Sequence, residues 1–322
     1  MTRGSKGYVW ALFSVAVFGA PHSSAAQPPA DTLLHPPGSF VSINGANIWY
    51  ESEGQGEPII LIAGGPGVSH TYFHPFFSGL ADNFRVIYFD AFGSGKSDRA
   101  RSAQEYTFDR EVEIVEALRN HLKLERVTVF GHSYGGMVAQ AYAVKYPHKL
   151  RNLILCDAPY NAEAWQISND VINDAIQNQF PEVWEQLQQL RRRGFHGSSK
   201  EHQELYGRIP PTLFMFYHPA NPAKPVFEVN TDVLYQIAGD DAEFLVGGDL
   251  VRLDFRTALS KLHIPVLVLA GRFDRAIPPR LALEYKHFLP DAKLVIFEES
   301  GHAPFVEETS RFIEAVKMFL RK

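Results

Sequence analysis

Cysteine is nearly absent. Cys156 stands alone in 322 residues, so no intramolecular disulfide can staple the chain in any compartment. It lies in the apolar run Leu153-Ile154-Leu155-Cys156, which reads as a packed core thiol, not a nucleophile. Excess charge of one sign is also missing. A net charge of −5 and an isoelectric point near 6.2 leave no basic footprint, so nucleic acid is not an expected partner. No internal repeat, heptad run or low-complexity tract appears, which argues against solenoids and coiled coils. The 13 histidines show no paired ligand spacing, so neither a metal nor a cofactor is expected.

What is present is an ordinary globular composition, 45% hydrophobic and 21% charged, long enough for one large core plus an insertion. The first residues stand apart. Arg3 and Lys6 precede an apolar run, residues 8–20, and Ser23-Ser24-Ala25-Ala26 follow. That is the order of a secretory signal, residues 1–26, with a mature chain from Gln27 in the periplasm or outside the cell. The run is roughly a dozen residues, short for a membrane span, and no cysteine marks a lipid anchor. No stable membrane association is expected after cleavage.

One stretch organises the rest. The β-branched run Val127-Thr128-Val129-Phe130 ends in Gly131-His132-Ser133-Tyr134-Gly135-Gly136, and a helical pattern begins at once in Met137-Val138-Ala139. Strand, sharp turn and helix with serine at the apex fit the G-x-S-x-G nucleophile elbow of α/β-hydrolases. Side chains at Gly131 and Gly135 would collide with neighbouring backbone in so tight a turn. Ser133 would stand clear of the sheet at a helix N-terminus, where a developing anion is favoured.

The flanking pattern agrees. Residues 40–43 and 46–50 form strand-like runs joined by Asn44-Gly45, a type I′ hairpin signal. Further strands fall at 58–63, 85–90, 127–130, 150–158, 265–270 and 293–297, alternating with helical stretches at 72–81, 107–122, 280–288 and 304–320. This βαβ order specifies a mostly parallel sheet with helices on both faces. Residues 159–254 break the alternation and read as a mostly helical cap inserted between core segments 27–158 and 255–322. A phosphate loop at Gly93-Ser94-Gly95-Lys96-Ser97 lacks the required spacing.

The partners of Ser133 fall at strand ends. Gly271-Arg272-Phe273-Asp274 follows one late strand and Ser300-Gly301-His302 follows the last, giving the chain order Ser…Asp…His. His302 would take the hydroxyl proton and Asp274 would fix the imidazole tautomer. The backbone N–H groups of Tyr134 and Gly65 are the expected oxyanion donors.

These residues resemble the proline iminopeptidases and related serine hydrolases of the α/β-hydrolase superfamily. Gly64-Gly65-Pro66-Gly67 with the following Val68 to Tyr72, the loop Asp90-Ala91-Phe92-Gly93-Ser94-Gly95-Lys96-Ser97, and the elbow with Ala141-Tyr142-Ala143-Val144-Lys145-Tyr146-Pro147 are similar to that family's segments. Glu243-Phe244 before Gly247-Gly248 resembles the cap segment that supplies a glutamate for the substrate's free α-amino group. The resemblance implies release of an N-terminal residue, often proline, from a short peptide or small molecule. Two departures bear on specificity. Ala63 stands where the family motif carries His, and Arg275 stands where close relatives carry a second amine-binding Glu; a cation there would repel an ammonium. An esterase, lactonase or amidase on the same scaffold is therefore the competing expectation, with Glu243 as a plain surface acid. A non-catalytic binding protein of this fold is the third, although no triad member is lost.

Overall fold

Short apolar, β-branched runs dictate the architecture. The computed structural model describes residues 35–210, 213–218 and 228–321, so the signal-sequence reading of residues 1–26 lies outside the described part. Eight strands form one sheet: β1 (Gly38–Ile43), β2 (Ala46–Glu53), β3 (Glu57–Ile62), β4 (Phe84–Phe89), β5 (Val127–His132), β6 (Leu150–Cys156), β7 (Val266–Gly271) and β8 (Lys293–Phe297), in the order β1-β2-β4-β3-β5-β6-β7-β8. The β1–β2 and β2–β4 pairs are antiparallel and the rest parallel. Asn44 and Gly45 turn the first hairpin with φ of 49° and 80°, the paired positive values that a type I′ turn demands.

Alternation splits each strand between two cores. Ile60, Ile62, Val127, Val129, Val266 and Val268 face one. There they meet α1 (Phe108–His121), capped by Thr107, and α2 (Tyr134–Lys145). Ile59, Leu61, Phe130, Leu267 and Leu269 face the other, and every residue of β5 and β7 is buried, as expected for central parallel strands covered on both faces.

After β6 the chain leaves the sheet through α3 (Ala162–Gln179), α4 (Pro181–Arg192), α5 (Lys200–Tyr206) and α6 (Thr231–Ala238). The helices α3 to α5 bury a small core of their own around Ile176, Leu187, Leu205 and Phe244, whereas α6 packs Val233 and Ile237 into the first sheet-side core. An isolated antiparallel bridge between Asn161 and Asp254 ties the exit to the return. The short α7 (Arg256–Leu259) leads into β7, α8 (Pro279–Phe288) lies between β7 and β8, and α9 (Pro304–Glu307) and α10 (Thr309–Leu320) close the chain.

Two elements differ from the sequence reading. The expected helix at 72–81 is instead a pair of 3₁₀ turns, His70–Phe73 and Ser78–Leu80. Pro75 has no N–H to donate and its ring opposes α geometry, so the stretch cannot continue as one helix. Residues 304–320 form two helices, because Glu308 between them has φ −122° and ψ 47°, outside the helical range.

Candidate active site

Ser133 occupies the junction of β5 and α2 with φ 55° and ψ −126°, a conformation that non-glycine residues rarely hold and that surrounding structure must enforce. The glycines supply the room. A Cβ at Gly131 would stand 2.3 Å from the carbonyl of Gly135, and one at Gly135 would stand 2.3 Å from the carbonyls of Ile62 and Ala63. The turn is fastened from the next strand, since the N–H of Ser133 donates to the carbonyl of Cys156 at 2.9 Å.

His302 and Asp274 meet directly. Nδ1 of His302 donates to Oδ2 of Asp274 at 2.8 Å, while Oδ1 of Asp274 accepts from the N–H of Ile277 at 2.8 Å. Both side chains are buried. A carboxylate accepts only, so His302 carries its proton on Nδ1 and keeps a lone pair on Nε2. Burial pushes the His302 pKa down to about 4, against an upward pull from Asp157, so the ring is neutral near pH 7 and fit to take a proton.

Three further residues in this region escaped the sequence reading. Tyr72, in the Gly64–Tyr72 segment, accepts at its hydroxyl from the N–H of Gly64 at 2.8 Å and donates to Nδ1 of His132 at 2.9 Å. His132 in turn donates from Nε2 to the main-chain carbonyl of His302 at 2.7 Å. This chain of bonds fixes the loop after β3, the elbow and the His302 loop to one another. Burial, then the neighbouring His302, hold the His132 pKa far down. Asp157, at the end of β6, is the third. Its Oδ1 accepts from the N–H of Gly271 at 2.9 Å, and the Cys156 thiol lies 3.2 Å from its Oδ2. Burial pushes the carboxyls of both Asp157 and Asp274 well up; the charge of Asp274 raises Asp157 further, while hydrogen bonds from Ile277 and then Asp157 pull Asp274 back.

The loop after β3 lies over Ser133. A Cβ at Gly64 would come within 3.2 Å of the Ser133 Cβ, and Gly65 holds φ 117°, a value that suits glycine. Tyr134 is the first residue of α2, where a helix leaves its N–H groups without intrahelical partners. The N–H of His302 donates to Met215 of the cap at 2.8 Å, and Nη1 of Arg275 donates to the carbonyl of Leu213 at 2.9 Å. Residues 213–218 thus rest on both the Asp274 and the His302 loops.

Glu243 lies elsewhere in the cap. Its Oε1 accepts from the Tyr235 hydroxyl at 2.6 Å, and a Cβ at Gly197 would stand 2.1 Å from its Oε2. Burial pushes its carboxyl up. Among the described residues no hydrogen bond joins it to Ser133, Asp274 or His302; the structure joins His302 to Asp274 and holds Glu243 at Tyr235.

Among the described residues, two groups of side chains are disposed so that they could hold a cation: His132, Asp157 and His302, and His35, Glu51, His70 and His74. In the first, both His132 nitrogens are spent in hydrogen bonds, so it has no lone pair to give. The second departs from the expectation that no histidines are paired. His70 and His74 stand four residues apart, and the fold brings both to Glu51.

The chain matches the α/β hydrolase fold family over residues 57–309. A proline iminopeptidase of Saccharolobus solfataricus is 29% identical over 293 residues, covering 87% of this chain and 91% of that protein. One of Lactobacillus crispatus is 30% identical over 275 residues, covering 82% and 89%. The crystal structure of a Mycobacterium smegmatis proline iminopeptidase superposes with a TM-score of 0.71 at 24% identity, covering 88% of this chain and 98% of that one. With this breadth of match and an eight-stranded sheet in the order described, the chain belongs to the α/β hydrolase fold family, as a proline iminopeptidase-like hydrolase.

Proposed function

We propose that the protein is a serine hydrolase that works by acyl transfer through Ser133, and that it releases N-terminal residues in the manner of a proline iminopeptidase. The observation that carries the reading is the buried 2.8 Å bond from His302 to Asp274, set beside a serine in strained backbone at a helix N-terminus.

Nε2 of His302 takes the Ser133 proton as Oγ bonds to the substrate carbonyl carbon. The oxygen of the tetrahedral intermediate takes up the negative charge and is met by the N–H groups of Tyr134 and Gly65. As the intermediate collapses, the bond to the leaving amine breaks and His302 returns the proton to that amine. Water, deprotonated by the same ring, then cleaves the acyl-enzyme and restores the Ser133 hydroxyl. Asp274 stabilises the imidazolium in both halves, and Asp157 holds Asp274 in place.

For an aminopeptidase, Glu243 would pair with the substrate ammonium. A second reading, an esterase, lactonase or amidase for small acyl substrates, is favoured by Arg275, an exposed cation next to Asp274 that would repel an ammonium. A prolyl arylamide with a free amine and a short acyl ester of nitrophenol separate the two. Prolyl turnover that is lost in Ser133→Ala and reduced in Glu243→Gln supports the first reading. Ester turnover alone, lost in Ser133→Ala and indifferent to Glu243, replaces it with the second. Cleavage of either substrate that persists in Ser133→Ala would refute the acyl-transfer mechanism.

A further inference from the structure

A second cluster of chemistry-bearing side chains lies outside the triad, and none of the hydrolytic steps uses it. Glu51 on β2 points its Oε2 at three imidazoles: Nδ1 of His35 at 3.1 Å, Nε2 of His70 at 3.3 Å and Nε2 of His74 at 3.4 Å. All four ligand atoms lie within 4.8 Å of one another. His70, His74 and Glu51 are buried. His35 retains 28% exposure and forms the outer wall.

The geometry is not that of a finished hydrogen-bond network. Among the described residues, Nε2 of His70 and both ring nitrogens of His74 are buried without a well-formed hydrogen bond, although the two Nε2 atoms lie 3.3 and 3.4 Å from the Glu51 carboxylate. Buried polar atoms of this kind are rare and call for an account. The separations supply one. Zn²⁺ binds imidazole nitrogen and carboxylate oxygen at about 2.0–2.2 Å, so neighbouring ligand atoms of a tetrahedral site stand roughly 3.3–3.5 Å apart. The three distances from Glu51 fall at or just inside that edge length.

The surroundings match those of a metal centre. Nδ1 of His70 lies 2.7 Å from Oδ1 of Asp90. The carboxylate makes Nδ1 the donor, so that a metal replacing the proton between Nε2 and Glu51 would meet the Nε2 lone pair, the arrangement by which an outer carboxylate orients a ligating histidine. The second oxygen of Glu51 is held by Nε1 of Trp49 at 3.0 Å, with Nζ of Lys96 at 3.8 Å, so Oε2 is presented singly.

We infer that His35, Glu51, His70 and His74 form a four-ligand binding site for a divalent transition metal of the zinc class. Four protein ligands close the coordination sphere, so the site is structural. It would clamp the segment before β1, strand β2 and the His70–Phe73 turn together, and that turn carries Tyr72, which anchors the loop after β3.

The test loads the full, chelator-treated protein with Zn²⁺ and, separately, Co²⁺. One equivalent of Zn²⁺ bound at micromolar concentration or tighter, a rise in thermal midpoint and a tetrahedral Co²⁺ visible spectrum are expected. His35→Ala removes the half-exposed ligand and should leave the fold intact. It should weaken Zn²⁺ at least about tenfold, the range seen when groups supporting a metal are lost, while metal-free His35→Ala keeps its esterase or peptidase activity. His74→Gln should do the same from the buried side. Absence of stoichiometric binding by the wild type, or equal affinity in His35→Ala, overturns the inference and leaves the cluster as an ion-paired network around His70.

Discussion

At the scale of single residues the proposed chemistry turns on the protonation of one imidazole. His302 sits where burial lowers its pKa to about 4, below the ordinary histidine value of about 6.5. Its protonated form has no lone pair on Nε2 to accept the Ser133 proton, so activity must fall as pH drops through that pKa and hold above it. With a neutral ester as substrate, kcat/KM is expected to keep its plateau through mildly acidic pH and to begin its acid limb clearly below 6.5. An acid limb centred at or above 6.5 would contradict the buried, neutral base. Ser133, Asp274 and His302 could be named as candidates from sequence because each stands at a predicted strand end, and the fold brings His302 to Asp274. Tyr72, His132 and Asp157 could not, because their roles rest on pairs far apart in the chain, Tyr72 with His132 and His132 with His302. His35 and Glu51 were hidden for the same reason, and the spacing of His70 and His74 was the one local signal of their cluster.

At the scale of elements, periodicity found the strands and most of the helices, and it failed where one residue breaks the backbone pattern. Pro75 turned an expected helix into two 3₁₀ turns, and Glu308 splits the expected 304–320 helix into α9 and α10. The elbow is the opposite case, where local sequence and tertiary packing demand the same residue. A methyl group at Gly135 meets Ile62 and Ala63 carbonyl oxygens at 2.3 Å, and these belong to the end of β3 and the loop that follows it, so they cannot swing away like a side-chain tip. At Gly194, by contrast, φ is 85° but nothing lies within 4 Å, so alanine there meets only backbone strain, about 1 kcal/mol. Gly135→Ala should therefore cost about 1–3 kcal/mol or more, as overpacking in a dense core does, and should exceed the loss in Gly194→Ala. Urea denaturation of both variants checks the ranking, and equal losses would show that β3 can move away from the elbow.

At the scale of the whole molecule, the question is what holds the cap on the catalytic loops. Much of the answer converges on Glu307 in α9. Its Oε2 accepts from the N–H of Gly301 at 2.7 Å and of Tyr217 at 3.1 Å, and its Oε1 accepts from the N–H of His218 at 2.9 Å. One carboxylate thus binds the residue before His302 and the cap stretch whose Met215 carbonyl receives the His302 N–H. The helices between β6 and β7 fall where strand alternation breaks, but this fastening had no local signal, since α9 and residues 213–218 meet only in three dimensions. Glu307→Ala leaves three backbone donors without their acceptor. The donor of buried Gly301 should dominate, at about 1–3 kcal/mol, because the two exposed donors can turn to water. Thermal denaturation should register that loss, and proteolysis under native conditions should cut sooner within residues 213–218. Since Asp274 still orients the ring, kcat/KM should fall far less than in Ser133→Ala, with the loss carried mainly by KM. A loss as complete as that of Ser133→Ala in a folded protein would mean that Glu307 sets the position of His302 itself, and that the cap and the base move as one unit.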